Sequence, residues 1–204
     1  MNRRAMTKPR TFAMLATLAL LGACSSSSTS HSEIQGVDIS GAPIGGDFNL
    51  VDKQGKPVRW ADFQGRWRIV YFGYTFCPDA CPLDVGVLMR GFGEFAKAHP
   101  DKAAKVQPIF ISIDPARDTP AKVGEFAAAF SPKLLGLTGT QEEIDSTVKR
   151  FKALALKGKA VPGGYLMDHS RAAYLFDPDG NPVEALPIDK NAEAVAADLA
   201  ISVR

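Results

Sequence analysis

Carriers of soft-metal and thiol chemistry are scarce in this chain, with three cysteines and three histidines among 204 residues. The C-x-x-C-H arrangement that attaches haem is absent, and no fourth cysteine or histidine is placed to complete a tetrahedral structural zinc site. No cluster of Lys and Arg interleaved with aromatics is present, which argues against nucleic acid as a partner. There is no internal repeat, and the apolar run Phe12–Leu21 is too short to span a bilayer comfortably. Acidic residues are missing from the whole stretch before Glu33, whereas Arg3, Arg4, Lys8 and Arg10 crowd the first ten positions. Removing those four cations takes the formal charge from +2 to −2, so the remaining chain is slightly acidic. With 46% hydrophobic and 23% charged residues, what is left suits one globular domain with a proper core, plus appendages.

The basic start, the apolar run and Leu21-Gly22-Ala23-Cys24 follow one another in the order of a targeting segment. Ser25-Ser26-Ser27-Ser28-Thr29-Ser30 comes next. The arrangement resembles a bacterial lipoprotein signal, in which small residues precede a cysteine that is lipidated and becomes the new N-terminus. It implies a signal peptide over 1–23, a lipid on Cys24, a flexible tether over 24–45 and a folded domain over 46–204. The expected location is the bacterial cell envelope, anchored to a membrane and facing the periplasm or another extracytoplasmic space.

With Cys24 assigned to lipid, Cys77 and Cys81 are the only pair left in an exported protein. They lie in Tyr74-Thr75-Phe76-Cys77-Pro78-Asp79-Ala80-Cys81-Pro82, between the apolar run Ile69–Phe72 and a segment with helical spacing of Val85, Leu88, Met89, Phe92 and Phe95. Strand, short loop, then helix is the reading. The free N–H groups and positive dipole end of the helix then stand beside the sulfurs and favour thiolate. A helix already running at Cys77 would put both sulfurs on one face, close enough for a disulfide or a shared ion. Pro78 and Pro82 suit a helix opening. An oxidising compartment makes the Cys77–Cys81 disulfide the default. So short a closed loop gives that disulfide little stabilising entropy, so its purpose is chemistry.

Further along, Phe48–Asp52 and Pro57–Trp60 read as a hairpin around Lys53-Gln54-Gly55-Lys56, and Trp67–Gly73 as a strand covered on both faces. The helix after Cys81 runs to Ala98, and Val106–Ile113 is a second buried strand. Thr119-Pro120 opens a helix to Phe130, Leu134–Leu137 is a short strand, and Thr140–Glu143 is a capping box for a helix to Phe151. Ala153–Lys159 and Tyr165–Met167 are extended. Ala173–Phe176 and Pro182–Leu186 form a hairpin over Asp177-Pro178-Asp179-Gly180, and Asn191 caps a last helix. The order predicts an α/β fold: a thioredoxin-like mixed sheet with helices on both faces, plus an N-terminal β-hairpin and an inserted loop over Lys152–Asp168, near a histidine.

That histidine is His169. His31 falls in the tether and His99 at a helix end, both as solvated side chains. His169 sits in Met167-Asp168-His169-Ser170 after Pro162-Gly163-Gly164, read as exposed on a loop that can be aimed at the dithiol. Spacing alone leaves a plain surface histidine as the commoner reading. Were it a ligand, two thiolates and an imidazole would suit copper, Cu(I) above all.

Four blocks in order then carry a resemblance: Phe72–Pro82, Ser112-Ile113-Asp114-Pro115-Ala116-Arg117-Asp118-Thr119-Pro120, Leu137-Thr138-Gly139, and Asp168-His169-Ser170 followed by Tyr174–Gly180. From Gly46 to Arg204 the chain resembles the Sco/SenC family of copper-binding, thioredoxin-fold proteins that assist assembly of the binuclear copper site of cytochrome c oxidase. The resemblance implies Cys77, Cys81 and His169 as copper ligands. It implies as partners an oxidase copper-site subunit or another periplasmic copper chaperone, and a thiol reductant. Leu83-Asp84 and Gly163-Gly164 depart from the family pattern at positions that touch partner recognition or loop mobility. Asp79 and Asp114 match positions near the site, either tuning its electrostatics or simply forming turns and caps. Copper delivery is the first function expected. A thiol–disulfide oxidoreductase cycling Cys77 and Cys81 is the alternative, so enzymatic activity is left open. A thiol peroxidase fits least, since no suitably spaced Pro and Arg complete a peroxide pocket.

Overall fold

The computed structural model describes Met1 and residues 33–204. Residues 2–32, with Cys24, His31 and all but the first residue of the segment expected to be a signal peptide, lie outside the described residues. In chain order the domain comprises β1 (Val37–Asp38), β2 (Asn49–Val51), β3 (Pro57–Arg59), a 3-10 turn (Trp60–Phe63), β4 (Trp67–Gly73), α1 (Ala80–Ala98) and α2 (Pro100–Ala103). Then come β5 (Val106–Ser112), α3 (Pro120–Phe130), β6 (Leu135–Leu137), α4 (Gln141–Arg150), β7 (Ala155–Val161), β8 (Gly164–His169), β9 (Ala173–Phe176), β10 (Pro182–Leu186) and α5 (Ala192–Ser202).

One mixed sheet runs in the order β1-β10-β9-β4-β5-β6. The steps β4–β5–β6 are parallel and β4–β9–β10–β1 antiparallel. β4 is buried along its whole length, as its unbroken apolar run requires of a strand covered on both faces. On one face Tyr71 meets Asp84 of α1, and Phe110 packs on Phe126 of α3 at 4.7 Å between ring centres. On the same face, α5 lies so close to α1 that a Cβ on Gly91 would fall 2.7 Å from Val195 Cβ. On the other face Phe151, just past α4, packs on Phe72 and Phe176. The helices therefore cover both sides, as expected of a thioredoxin-like sheet.

Local chemistry sets the helix starts. Thr119 accepts from Lys122 N–H with Pro120 in the first turn, Thr140 and Glu143 close a reciprocal box, and Asn191 accepts from Ala194 N–H. β2 and β3 pair as the expected hairpin, and β9 and β10 as the second. Wholly buried Arg68 holds that second turn by donating to the Asp177 carbonyl, with its guanidinium 4.4 Å from the Trp60 ring centre.

One expectation needs correction and two gain detail. Residues 35–45, assigned to the tether, partly belong to the fold: Val37 and Asp38 pair with Ala185 and Glu184, and Gln35 and Gly36 N–H donate to the buried Asp198 carboxylate. A two-residue edge strand has no periodicity to betray it. The insertion near the histidine is a two-stranded ribbon, β7 with β8, turned at Pro162-Gly163. Helix α1 starts at Ala80, so Cys77 and Pro78 precede it and only Cys81 and Pro82 lie in its first turn. Among the described residues no helix is long and apolar enough to cross a membrane.

Candidate metal centre

The site forms where β4 ends, at the carboxyl edge of the parallel strands, the usual place for function in such sheets. Gly73 closes the strand, and a Cβ there would sit 2.9 Å from the Phe110 ring, 3.1 Å from the Tyr71 ring and 3.2 Å from Cys81 Sγ, so glycine lets the two rings and the sulfur crowd the strand end. The chain then turns through Tyr74–Asp79, with Cys77 N–H donating to the Tyr74 carbonyl. Asp118, 1% exposed, anchors this turn. It accepts Thr75 N–H at 2.9 Å, Thr75 Oγ at 2.6 Å and Ser112 Oγ at 2.6 Å. The Ser112–Pro120 block thus buckles the cysteine loop to the neighbouring strand.

Cys77, though outside the helix, still meets its terminus: Cys81 N–H donates to Cys77 Sγ at 3.3 Å. The sulfur takes the place a capping oxygen would fill, and Asp79, at the cap position, makes no side-chain cap bond. Both cysteines are free thiols, Cys77 half-buried and Cys81 buried. His169 is the last residue of β8 and half-buried, not exposed on a loop. Its Nε2 lies 3.1 Å from Cys81 Sγ, and its Nδ1 is 2.8 Å from the Ser170 carbonyl. A proton assigned to Nδ1 by that carbonyl leaves the Nε2 lone pair facing the sulfurs. Tyr71 and Tyr74 stand edge-on to the imidazole, at 6.2 and 5.9 Å between ring centres. Among the described residues, the ligand atoms of Cys77, Cys81 and His169 all lie within 4.8 Å of one another.

The two thiols are unequal. The Cys81 thiol donates to Cys77 and pulls its pKa down to about 3. Burial opposes this, while the neighbouring His169 ring and the N–H groups of Cys81 and Asp79 add to it. Cys81 shifts the other way, raised first by that same shared hydrogen bond and then by burial. Burial alone would lower His169, but hydrogen bonding to Cys77 and Ser170 and the charges of Cys77 and Asp84 outweigh it, so the net shift is upward. The pair therefore carries one negative charge, centred on Cys77. At pH 5.5, where an ordinary thiol is only about 0.1% thiolate, Cys77 is expected to alkylate at least about 100 times faster than Cys81. Quenched iodoacetamide labelling with peptide mass mapping measures the ratio, and equal or reversed rates would refute the assignment.

Around the three donors, other side chains fix their places. Asp84 is buried and accepts Tyr71 OH at 3.0 Å and a two-pronged Arg171 contact at 2.9 and 2.7 Å. It ties α1 to the chain just after His169. Asp114 forms a turn, its carbonyl accepting Arg117 and Asp118 N–H, while its carboxylate accepts Tyr165 OH at 2.7 Å and Arg117 Nε. Of these, Asp84 showed in the sequence only as a departure from a pattern, while Asp118 and Arg117 lay inside a motif without a role. Tyr165 and Arg171 gave no signal.

The SCO1/SenC family model matches residues 37–204. The chain is 39% identical over 150 residues to the protein SCO1 homolog 1, mitochondrial, of Arabidopsis thaliana, covering 74% of this chain and 44% of that one. It is 39% identical over 162 residues to the protein SenC of Rhodobacter capsulatus, covering 79% and 72%. A solved structure of Bradyrhizobium japonicum ScoI with copper bound superposes with a TM-score of 0.69 at 38% identity, covering 77% of this chain and 98% of that one. The chain spans about half the length of the first curated relatives it matches, 44% and 47%.

Proposed function

The chain belongs to the SCO1/SenC family, and we propose on that footing that it is a membrane-tethered copper chaperone. It takes one copper ion on Cys77 Sγ, Cys81 Sγ and His169 Nε2 and assists assembly of the binuclear copper site of cytochrome c oxidase. The observation that carries this reading is the meeting of two sulfurs and one imidazole nitrogen, from elements 88 residues apart, within 4.8 Å. Two soft thiolates and one imidazole suit copper, and three donors fall short of a structural zinc set. The copper-bound relative at 38% identity supports the same choice. Cys24 would carry the lipid and residues up to Glu33 the tether, placing the site outside the cytoplasm, with an oxidase subunit or a periplasmic copper chaperone as partner.

Residue by residue, the site is prepared for a soft cation. Cys77 is already a thiolate, Cys81 gives up its proton on loading, and Ser170 keeps the His169 lone pair turned inward. Titration of reduced protein with Cu(I) is expected to give one ion per chain, with zinc bound more weakly. Protein oxidised to the Cys77–Cys81 disulfide is expected to bind neither tightly, because its sulfurs are spent on each other. Tight copper binding by the oxidised form would place the ligands elsewhere.

The inequality of the thiols favours a second reading, a thiol–disulfide oxidoreductase. The Cys77 thiolate would attack a partner disulfide and release one partner thiolate. Cys81, losing its proton, would then attack the Cys77 sulfur and release the second. The products are a partner dithiol and the Cys77–Cys81 disulfide, which a thiol reductant must return.

A further inference from the structure

Resting on the copper reading above, we propose that Arg117 is a positioning residue for His169. Its guanidinium fastens the β7–β8 ribbon to the cysteine loop and so holds the imidazole over the two sulfurs. Among the described residues the ribbon pairs with no other strand, and a lone two-stranded ribbon is marginal in water. It needs an anchor. At its base Leu154 and Ser170 exchange hydrogen bonds. At its far end the anchor is Arg117, from the loop between β5 and α3.

Arg117 Nη1 donates to the Tyr165 carbonyl at 2.8 Å, and its Nε donates to Asp114, which also accepts Tyr165 OH. The guanidinium carbon lies 3.7 Å from the Tyr165 ring centre, 4.6 Å from that of Phe76 and 5.7 Å from that of Tyr74. Buried Nη2 has no hydrogen-bond partner among the described residues; it has ring faces around it instead, as flat guanidinium stacking allows. Phe76 adjoins Cys77, and Tyr74 is the ring edge-on to His169. One cation thus touches both sides of the gap between ribbon and dithiol.

Transmission along the ribbon follows from the strand period. Side chains two apart share a face, so Tyr165, Met167 and His169 lie on the same side of β8. The single register shift falls between Lys157 and Ala160 on β7. Releasing Tyr165 frees β8 from its far end down to His169, its last residue, while Cys77 and Cys81 keep their own anchors at Asp118 and α1.

Double-mutant analysis on the whole chain tests this. R117A is expected to speed amide exchange of residues 155–167 in reduced, metal-free protein at least about tenfold. It is expected to weaken Cu(I) binding about 10–100-fold, the range for residues that orient a metal ligand. In an H169A background the same change should alter Cu(I) affinity less than about twofold, because the group it positions is gone. R117K keeps the charge but loses the fork and the flat stack, and should resemble R117A. Unchanged exchange overturns the clamp whether or not copper binds. Equal losses in both backgrounds make Arg117 a general structural residue and overturn the positioning role. A parent without Cu(I) affinity refutes the copper reading and leaves exchange to decide the clamp. Should R117A fail to fold, Tyr165→Phe, which removes only the hydroxyl tie to Asp114, should give smaller shifts in the same directions.

Discussion

His169→Ala is expected to lower copper affinity by more than about 100-fold, beyond the range for residues that only orient a ligand, and to abolish oxidase assembly at limiting copper. Disulfide exchange with a small dithiol should survive. The substitution removes the nitrogen 3.1 Å from Cys81 Sγ but leaves the Cys81 N–H on Cys77 Sγ and the anchoring of Thr75 by Asp118. The dithiol therefore keeps its helix terminus and its shared proton, and Cys77 keeps most of what favours its thiolate. That separation makes the variant decisive between the two functions. A chaperone fails without its third ligand; a reductase fails only when Cys77 or Cys81 is replaced. Copper competition titration of the purified variant and oxidase activity of a strain carrying it are the two measurements. Normal oxidase activity at limiting copper would refute copper delivery and promote the reductase.

Much of the frame was legible because the elements that build it obey strong local rules. β4 read as a strand because Ile69–Phe72 is an unbroken apolar run, and α3, α4 and α5 started where Thr119, Thr140 and Asn191 offer capping oxygens. The dithiol was legible from its place between strand and helix. His169 was not, on spacing alone. Its meeting with Cys81 depends on β9 pairing antiparallel to β4 and on the ribbon folding back over the strand end, neither of which leaves a periodic trace near residue 169. Only the family resemblance pointed to it.

The residues that hold the donors in place were the least legible. Asp118 looks like one more polar residue before a helix cap, yet three hydrogen bonds converge on it inside the core. Arg117 looks like a solvated charge until Tyr74, Phe76 and Tyr165 gather round it from two separate segments. A buried charge with partners distant in sequence carries no short-range signature, because the cost of burying it is met only once the chain has folded.

Glu184 shows the same illegibility and carries the second large expected effect, on stability. It is wholly buried on β10. Ser202 Oγ donates to one carboxyl oxygen at 2.8 Å, and the other has no hydrogen-bond partner among the described residues, which a protonated acid tolerates far better than a carboxylate. Burial, then the neighbouring Asp198 carboxyl and the charge of Asp38, pushes its pKa up from 4.5 to about 8, against the opposing Ser202 bond. Between those two values the folded chain holds a proton that the unfolded chain has released. Stability must therefore fall as pH rises from 4.5 to about 8, by up to about 1.4 kcal/mol per unit, and level off above. Glu184→Gln keeps the shape and the Ser202 contact but cannot ionise, so its stability should be flatter across that window. At pH 8–9 it should exceed the parent by roughly 2–4 kcal/mol. Urea unfolding at pH 5, 6.5 and 8.5 measures the difference, and parallel curves for the two proteins would refute the shift. The strain should surface first at β1, since Asp38 pairs with Glu184 and Asp198 accepts the N–H groups of Gln35 and Gly36. Ionising Glu184 places a second negative charge against the carboxylate that docks the entering chain. Amide exchange at residues 35–38 in the parent should accordingly quicken between pH 6 and 8.5 by more than the intrinsic base-catalysed rise, and in Glu184→Gln by that rise alone.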